Sequence, residues 1–389
     1  MEAVLMAKKT DLAIVNRSFW PQGQVIGEGL LQFAEKAAEN HTVCVITQAD
    51  GDLSALLAEA GRGAGLKIRA CNTYTNSSSG VLKRIAEALF FMLWTLVSLV
   101  RAKPANVYVS TNPPVVVPFI VAVYCRLFGA RYVYHLQDIH PEAADIVIPL
   151  NRLLLRLLKA VDNYTLRHAA GIVTLSEDMK LYIQKRSDTS SPIFLLDNPS
   201  FPVTPVPVEE RTKGIIYCGN AGRLQRIPLL MSAIRAYLQQ GGTLRFTFAG
   251  GGVHVPDIQA LANAYEQVDY LGVLPATEAA DLVNEHRWAL LPIDDEVTKY
   301  AFPSKSSGYA LSGAGVLAVC GEQTSVARWV VEQQVGVVSK PDHDALVKRF
   351  FMLENSDARD FLLNDEMRER LCISYFAQKL CDIALNKTG

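Results

Sequence analysis

No two of the seven cysteines, Cys44, Cys71, Cys125, Cys218, Cys320, Cys372 and Cys381, form a C-x-x-C pair. With their odd number and wide scatter, this argues against a zinc-ribbon site and against a paired disulfide framework. Several sit in apolar strand-like runs, as in Ile-Tyr-Cys218-Gly, which suits buried reduced thiols and a cytoplasmic compartment. Excess charge is lacking too. The formal net charge is -1 and the pI is near 6.7, so nothing global points to nucleic acid. Any membrane attraction has to come from local patches. Met1 to Asp11 lacks the basic start, apolar stretch and cleavage site of a signal peptide.

Long apolar runs are also scarce. The one candidate, Ile85 to Val100, covers about 16 residues and is broken only by Glu87, Thr95 and Ser98. A spanning helix needs roughly 20. The run is flanked by Lys83 and Arg84 before it and by Arg101 and Lys103 after it. A buried core helix, with Phe90, Phe91 and Trp94 inside, is favoured over a helix lying on a membrane surface. A span is disfavoured.

What is present is an alternation of strands and helices over 389 residues, half of them apolar. Leu12–Val15, Val43–Thr47, Val107–Val109, Arg131–His135, Gly171–Leu175 and Ile193–Leu196 read as strands, with helices at about 29–39, 116–128 and 150–169 between them. The segment from Thr47 to about Gly65 reads as a polar loop. Pro199, Pro202, Pro205 and Pro207 then crowd into nine residues, marking a semi-rigid linker. Beyond it the alternation resumes. The expected domains are 1–200, completed by a C-terminal helix within 371–389, and 213–370.

Polar or Gly-rich segments follow the strands, where open parallel sheets bind ligands. Gly219-Asn220-Ala221-Gly222-Arg223-Leu224-Gln225-Arg226 leads into a helix. Its glycines let backbone approach a ligand, and its arginines and the helix N-terminus suit phosphate. Gly250-Gly251-Gly252 ends another strand. Pro303-Ser304-Lys305-Ser306-Ser307-Gly308 places a lysine among hydroxyls. His135-Leu136-Gln137-Asp138-Ile139-His140-Pro141-Glu142 crowds Asp138, His140 and Glu142 at a strand end. Phe19-Trp20-Pro21-Gln22-Gly23 is a loop after the first strand. Read singly, these could equally be tight turns, caps and solvated charges.

Taken in order, the segments resemble glycosyltransferase family 4, in particular its bacterial surface-polysaccharide branch. The matching elements are Phe19-Trp20-Pro21-x-Gly23, Thr111-Asn112-Pro113-Pro114, Gln137 to Glu142, Gly171 to Asp178, Leu196 to Pro199, Gly219-Asn220-x-Gly222-x-x-Gln225 and Pro303-Ser304-Lys305. The resemblance implies an α/β GT-B fold of two facing, doubly wound Rossmann-like domains, with the last helix crossing back to the first. It implies a retaining glycosyltransferase that moves a sugar from a nucleotide-sugar donor to a saccharide acceptor, commonly lipid-linked. Lys83, Arg84, Arg101 and Lys103 around the apolar helix, with Arg152, Arg156, Lys159 and Arg167 on the Leu-rich helix near residue 150, supply a physical route to a peripheral position at the inner face of the cytoplasmic membrane. The implied donor-binding set is Gly219, Asn220, Gly222, Arg223, Arg226, Gly250, Gly251, Ser304, Lys305 and Ser306, with Arg226 and Lys305 on the diphosphate. Asp138, His140 and Glu142 form the implied catalytic set, and Gly23 and Arg17 lie on the acceptor side.

No metal and no cofactor are expected, because no D-x-D motif stands in a suitable position and Asp294-Asp295 lacks that spacing. Gly308 departs from the pattern, since the family has there a glutamate that holds the ribose. Ser306, Ser307 or Glu278 are the candidate substitutes. The departure leaves open a nucleotide-sugar-binding homologue of impaired activity. A nucleotide-sugar epimerase, which can share this two-domain fold, is a second alternative, for which Asp138 and Glu142 could supply acid and base.

Overall fold

The computed structural model describes residues 10–75, 80–357 and 359–385. The N-terminal stretch weighed against a signal peptide therefore lies mostly outside the described residues, as do the last four positions of the range expected to hold the C-terminal helix. The chain forms two compact units, Met1–Asn198 with Ile373–Gly389, and Pro199–Cys372.

The first unit holds strands β1 (Leu12–Val15), β2 (Val43–Gln48), β3 (Lys67–Cys71), β4 (Asn106–Ser110), β5 (Arg131–His135), β6 (Gly171–Thr174) and β7 (Ile193–Leu195). They pair in parallel in the order β3-β2-β1-β4-β5-β6-β7. Its helices are α1 (Gln24–Ala38), α2 (Leu53–Glu59), α3 (Val81–Ala102), α4 (Val116–Phe128), α5 (Glu142–Val147), α6 (Arg152–His168) and α7 (Glu177–Ser187). Every residue of β1 and β2 is buried. This is the mark of strands covered on both faces, and it explains why Val, Ile and Leu run on there without polar alternation.

The second unit holds β8 (Thr212–Cys218), β9 (Arg245–Ala249), β10 (Val268–Tyr270), β11 (His286–Pro292), β12 (Gly315–Val319) and β13 (Gly336–Ser339), in the parallel order β10-β9-β8-β11-β12-β13. Around it lie α8 (Ile227–Gln239), α9 (Val255–Ala262), α10 (Ala276–Asn284), α11 (Lys305–Leu311), α12 (Ser325–Glu332), α13 (His343–Glu354) and α14 (Asp365–Arg370). The last helix, α15 (Ile373–Leu385), belongs to the first unit. There its Phe376, Leu380, Cys381 and Ala384 share a buried cluster with Phe33, Ala34 and Ala37 of α1.

Three expectations change. The polar loop after β2 contains α2, capped by the Asp52 carboxylate on the Ser54 and Ala55 N–H groups, and β3 follows it. β3 is an edge strand whose Lys67 and Arg69 mask its apolar alternation; such charges commonly protect a sheet edge. The apolar helix α3 is also longer than expected, with 22 residues. It is only partly a core helix. Phe91 is fully buried, whereas Phe90 is 41% exposed and Trp94 is half-buried, its indole N–H donating to the Arg69 carbonyl at 3.3 Å.

Because α15 fills the apolar stripe of α1, its removal leaves that stripe open. Phe376→Ala should destabilise the first unit by about 3–5 kcal/mol, the usual cost of emptying a buried aromatic site. Urea unfolding followed by far-UV circular dichroism measures this, and a loss below about 1 kcal/mol would contradict the packing role.

Candidate functional site

In each sheet the strand order reverses beside the first strand, between β1 and β4 in one and between β8 and β11 in the other. Loops leaving the carboxyl ends at such a reversal run in opposite directions and open a crevice.

In the second unit, two glycine loops pack backbone to backbone at this point. Gly219 N–H donates to Ala249 O at 2.9 Å and Ala221 N–H to Gly251 O at 2.7 Å. Gly250 has φ +127°, and a Cβ there would lie 2.0 Å from Gly219 O. A side chain at this position is thus barred by both conformation and space. Gly251 is more open, with only Val273 near its Cβ position. Asn220 and Arg223 are exposed on the loop, and the Asn220 carbonyl accepts from the Tyr217 hydroxyl at 2.6 Å.

Lys305, the first residue of α11, reaches into this loop cluster. Its Nζ stands 3.9 Å above the Tyr217 ring and 3.0 Å from the Cβ position of Gly219. The ammonium is buried and has no hydrogen-bond partner. Burial pushes its pKa down to about 7, opposed by the Cys218 thiol. Ser306 Oγ and Gln225 Oε1 are likewise buried without partners, while Ser304 is exposed at the cap position. The Lys305 ammonium and the Ser306 hydroxyl are donors whose desolvation cost an incoming anion would relieve, whereas the Gln225 oxygen needs a donor.

Arg226 is placed differently from expectation. Its backbone is left-handed, with φ +48°. The guanidinium donates to Ile293 O at 3.0 Å and pairs with Asp295 at 3.1 Å and Asp294 at 3.3 Å. Asp295 also accepts Gly321 N–H at 2.9 Å. Arg226 thus ties together the loops after β8, β11 and β12. Two carboxylates already offset its charge, whereas the expectation set it on the donor diphosphate. At Gly308 a Cβ would meet only Ser200 Oγ, at 3.1 Å. Of the proposed ribose substitutes, Ser306 and Ser307 are buried and Glu278 is exposed.

In the first unit, the loop after β5 separates the three residues expected to act together. Glu142 is 5% exposed and accepts from Tyr182 Oη at 2.7 Å and Arg186 at 2.8 Å, with Lys159 at 3.3 Å. Burial alone would raise its pKa, but Arg186 and Tyr182 prevail and lower it. Arg186 also pairs with buried Asp162 and donates to the His140 carbonyl at 3.1 Å. Glu142 is therefore tied into an ion-pair network, whereas the expectation placed it in the catalytic set. Asp138 is different. Burial lifts its carboxyl to about 6. Burial likewise lowers His140 to about 4, against the pull of Glu142.

A cavity of about 240 Å³ opens in this unit at the ends of β1, β4 and β5, lined by Asn16, Ser18, Gln22, Gly23, Asn112 and Gln137 among others. Gly23 is there, as expected. A Cβ on it would lie 2.8 Å from Gly27 Cα, so only glycine allows the loop to meet α1 so closely. Arg17 does not line the cavity; its guanidinium lies 3.8 Å from Glu87. The amide side chains of this cavity were missed in the sequence. Asn112 and Gln137 lay within segments picked out for other reasons, and Arg186 carried no local signal. Among the described residues, no three His, Cys, Asp or Glu side chains come together as a metal-ligand group.

Comparison with known proteins bears on this arrangement. A family model for the glycosyl transferase 4-like domain matches residues 26–192. The probable glycosyltransferase WbjE of Pseudomonas aeruginosa is 23% identical over 291 residues, covering 71% of this chain and 72% of that protein. Among solved structures, WaaG, a glycosyltransferase involved in lipopolysaccharide biosynthesis, aligns with a TM-score of 0.63 at 14% identity, over 97% of this chain and 100% of its own. The Anabaena protein HepE in complex with UDP aligns with a TM-score of 0.60 at 14% identity, over 97% and 96%. The fold is that of the GT-B glycosyltransferases, and the family match and the WbjE likeness support glycosyltransferase activity. The glycosyl transferase 4-like match falls within the first unit, in keeping with the family 4 resemblance.

The raised Asp138 carboxyl has a consequence for stability. A folded pKa above the unfolded value of 3.8 means the native state holds its proton more tightly, so stability falls as pH rises through that interval to about 6. Asp138→Asn should remove the slope. Relative to wild type, the variant should gain on the order of 1–2 kcal/mol at pH 8, after discounting for partial solvation, and nothing near pH 4. Urea midpoints at the two pH values test this; an equal difference at both would refute it.

Proposed function

We propose that the chain transfers a sugar, with retention of configuration and without a metal ion, from a nucleoside diphosphate sugar to a lipid-linked saccharide during surface polysaccharide synthesis. The observation that carries this reading is the buried, unpartnered Lys305 ammonium beside the Gly219 and Gly250 loops. An ammonium of this kind, preorganised in a poorly solvated site, can stabilise a departing diphosphate without reorganisation. Asp138, half-buried and with its carboxyl raised to about 6, is the group of the first unit we assign to the transferred sugar, with His140 in the same loop. The WbjE and WaaG likenesses support the polysaccharide setting.

The same reading places the enzyme at the cytoplasmic face of a membrane. Leu82, Ile85, Leu89, Leu93, Val97 and Val100 recur every three or four residues along α3, and all are exposed. The opposite face, with Glu87, Phe91, Thr95, Ser98 and Leu99, is buried. Exposed Lys83, Arg84, Arg101 and Lys103 stand at the two ends of the stripe. On α6, exposed Leu153, Leu154 and Leu157 alternate with Arg152 and Arg156. Each cation near an anionic leaflet adds about 1 kcal/mol, and the apolar side chains add to that.

Two measurements test these proposals. Lys305→Met should weaken UDP binding by about 1.5–3 kcal/mol, the scale of a bond to a charged group. In the wild type, binding should take up a proton above pH 7, so affinity should fall from pH 7 to pH 9. Calorimetry in buffers of different ionisation enthalpy detects that proton, and its persistence in Lys305→Met would sink the assignment. Separately, the protein should sediment with phosphatidylglycerol-containing vesicles at low salt and be released at high salt. The Leu89→Glu/Leu93→Glu variant should remain in the supernatant. Wild-type protein that never sediments would refute the membrane face but not the transferase reading.

A further inference from the structure

The cavity of the first unit has an unusual lining for a site in a polysaccharide pathway. Asn16, Gln22, Gln24, Asn112 and Gln137 contribute five carboxamides and Ser18 a hydroxyl, and no Lys, Arg, His, Asp or Glu lines it. Part of this set is scaffold. Asn16 bonds the Ser18 carbonyl through its Nδ2 and accepts from Ser110 through its Oδ1. Asn112 Nδ2 donates to Ser18 Oγ at 3.1 Å, which aims its Oδ1 elsewhere. Gln137 stands next to Asp138 in the chain, so the amide pocket and the raised carboxyl share one loop.

A carboxamide offers two donors and an accepting oxygen, and a sugar hydroxyl both donates and accepts. The two match without net charge on either side. An anion fares worse here. Arg17, the near cation in sequence, is turned toward Glu87 at 3.8 Å. A negative charge stands at the rim, since Gln22 Nε2 donates to the Asp50 carboxylate at 3.2 Å. The α1 N-terminus would favour an anion by only about 0.3–1 kcal/mol, against several for taking a charge from water without a partner. At about 240 Å³ the cavity falls below the roughly 300–1,000 Å³ typical of pockets for drug-sized ligands. It has room for one ring rather than a chain.

We infer that this pocket seats a single uncharged, hydroxyl-bearing sugar ring of the acceptor and discriminates against uronic acids and sugar phosphates. That the ring belongs to an acceptor rests on the transferase reading above; the selectivity of the pocket does not. The test uses the full chain and saturation-transfer NMR. The neutral probes are the methyl glycosides of glucose, galactose, rhamnose and N-acetylglucosamine, and the anionic probes are methyl glucuronide and glucose 6-phosphate. At least one neutral glycoside should bind at least tenfold more tightly than either anionic probe. Asn112→Leu/Gln137→Leu should weaken that binding at least tenfold while UDP binding stays unchanged. Should the double variant not fold, Gln137→Leu alone should still weaken it at least threefold. Binding of an anionic probe as tight as the neutral ones overturns the inference, as does neutral binding indifferent to these substitutions or no neutral binding at all. Failure of UDP to bind would instead overturn the transferase reading, and the glycoside results would still decide the pocket.

Discussion

Reversal of strand order beside the first strand of each sheet is the constraint from which both loop clusters follow. Parallel strands cannot be joined by tight turns, so each crossover carries a helix over one face of the sheet. Where the order turns from β1 to β4, and from β8 to β11, successive helices go to opposite faces and the loops part. The amide-lined cavity stands at the first parting and Lys305 with its glycine loops at the second. Neither location requires a special device. What the sequence adds is the choice of residues placed there.

Those choices separate charge that holds structure from charge left for a ligand. Arg186 and Arg226 each draw two carboxylates and a backbone carbonyl. Arg186 fastens the His140–Glu142 turn to α6 and α7, and its loss would strand two buried carboxylates, a change that typically costs about 3–5 kcal/mol. Arg226 does the same for the loops around β8, β11 and β12. Lys305 has no such partner, and its ammonium rests on an aromatic face instead. A cation–π contact of about 0.5–2 kcal/mol offsets only part of the desolvation. The site is therefore held open at a cost in stability, which is the usual condition of a binding group awaiting its ligand.

This distinction also marks how far the sequence could be read. Strand ends followed by glycine or polar segments were legible because they are local: Gly219 to Gly222, Gly250 to Gly252, and Pro303 to Lys305 announce loops by composition. Partners distant in the chain were not legible. Arg186 lies 44 residues from Glu142, and Arg226 lies 69 from Asp295. Nothing local shows that Glu142 is consumed by an ion pair while Asp138, four residues earlier, is left poorly solvated. The edge strand β3 was obscured for a different reason. An exposed strand needs charges along it, and those charges erase the apolar signal by which buried strands are recognised.

The helix α3 shows the same limit in a form that bears on function. By composition it is a nearly uniform apolar segment, and a core helix, a surface helix and a span share that composition. Packing against the sheet divides it into two faces. One contains Glu87, whose carboxylate accepts the Tyr74 N–H at 2.6 Å and the Thr75 N–H at 3.1 Å, together with Thr95 and Ser98. The other carries Leu82, Ile85, Leu89, Leu93, Val97 and Val100, all exposed. The polar residues within the run thus point into the protein beside Phe91 and Leu99, while six aliphatic side chains point out. Had α3 only to stabilise the unit, the opposite arrangement would serve better, because buried aliphatic surface contributes about 25 cal/mol per Å² while exposed aliphatic surface contributes nothing. A continuous apolar stripe of six side chains with cations at both ends is also larger than scattered surface leucines account for. This distribution, with one face given to the fold and one left apolar and exposed, is the feature on which the proposed membrane face rests.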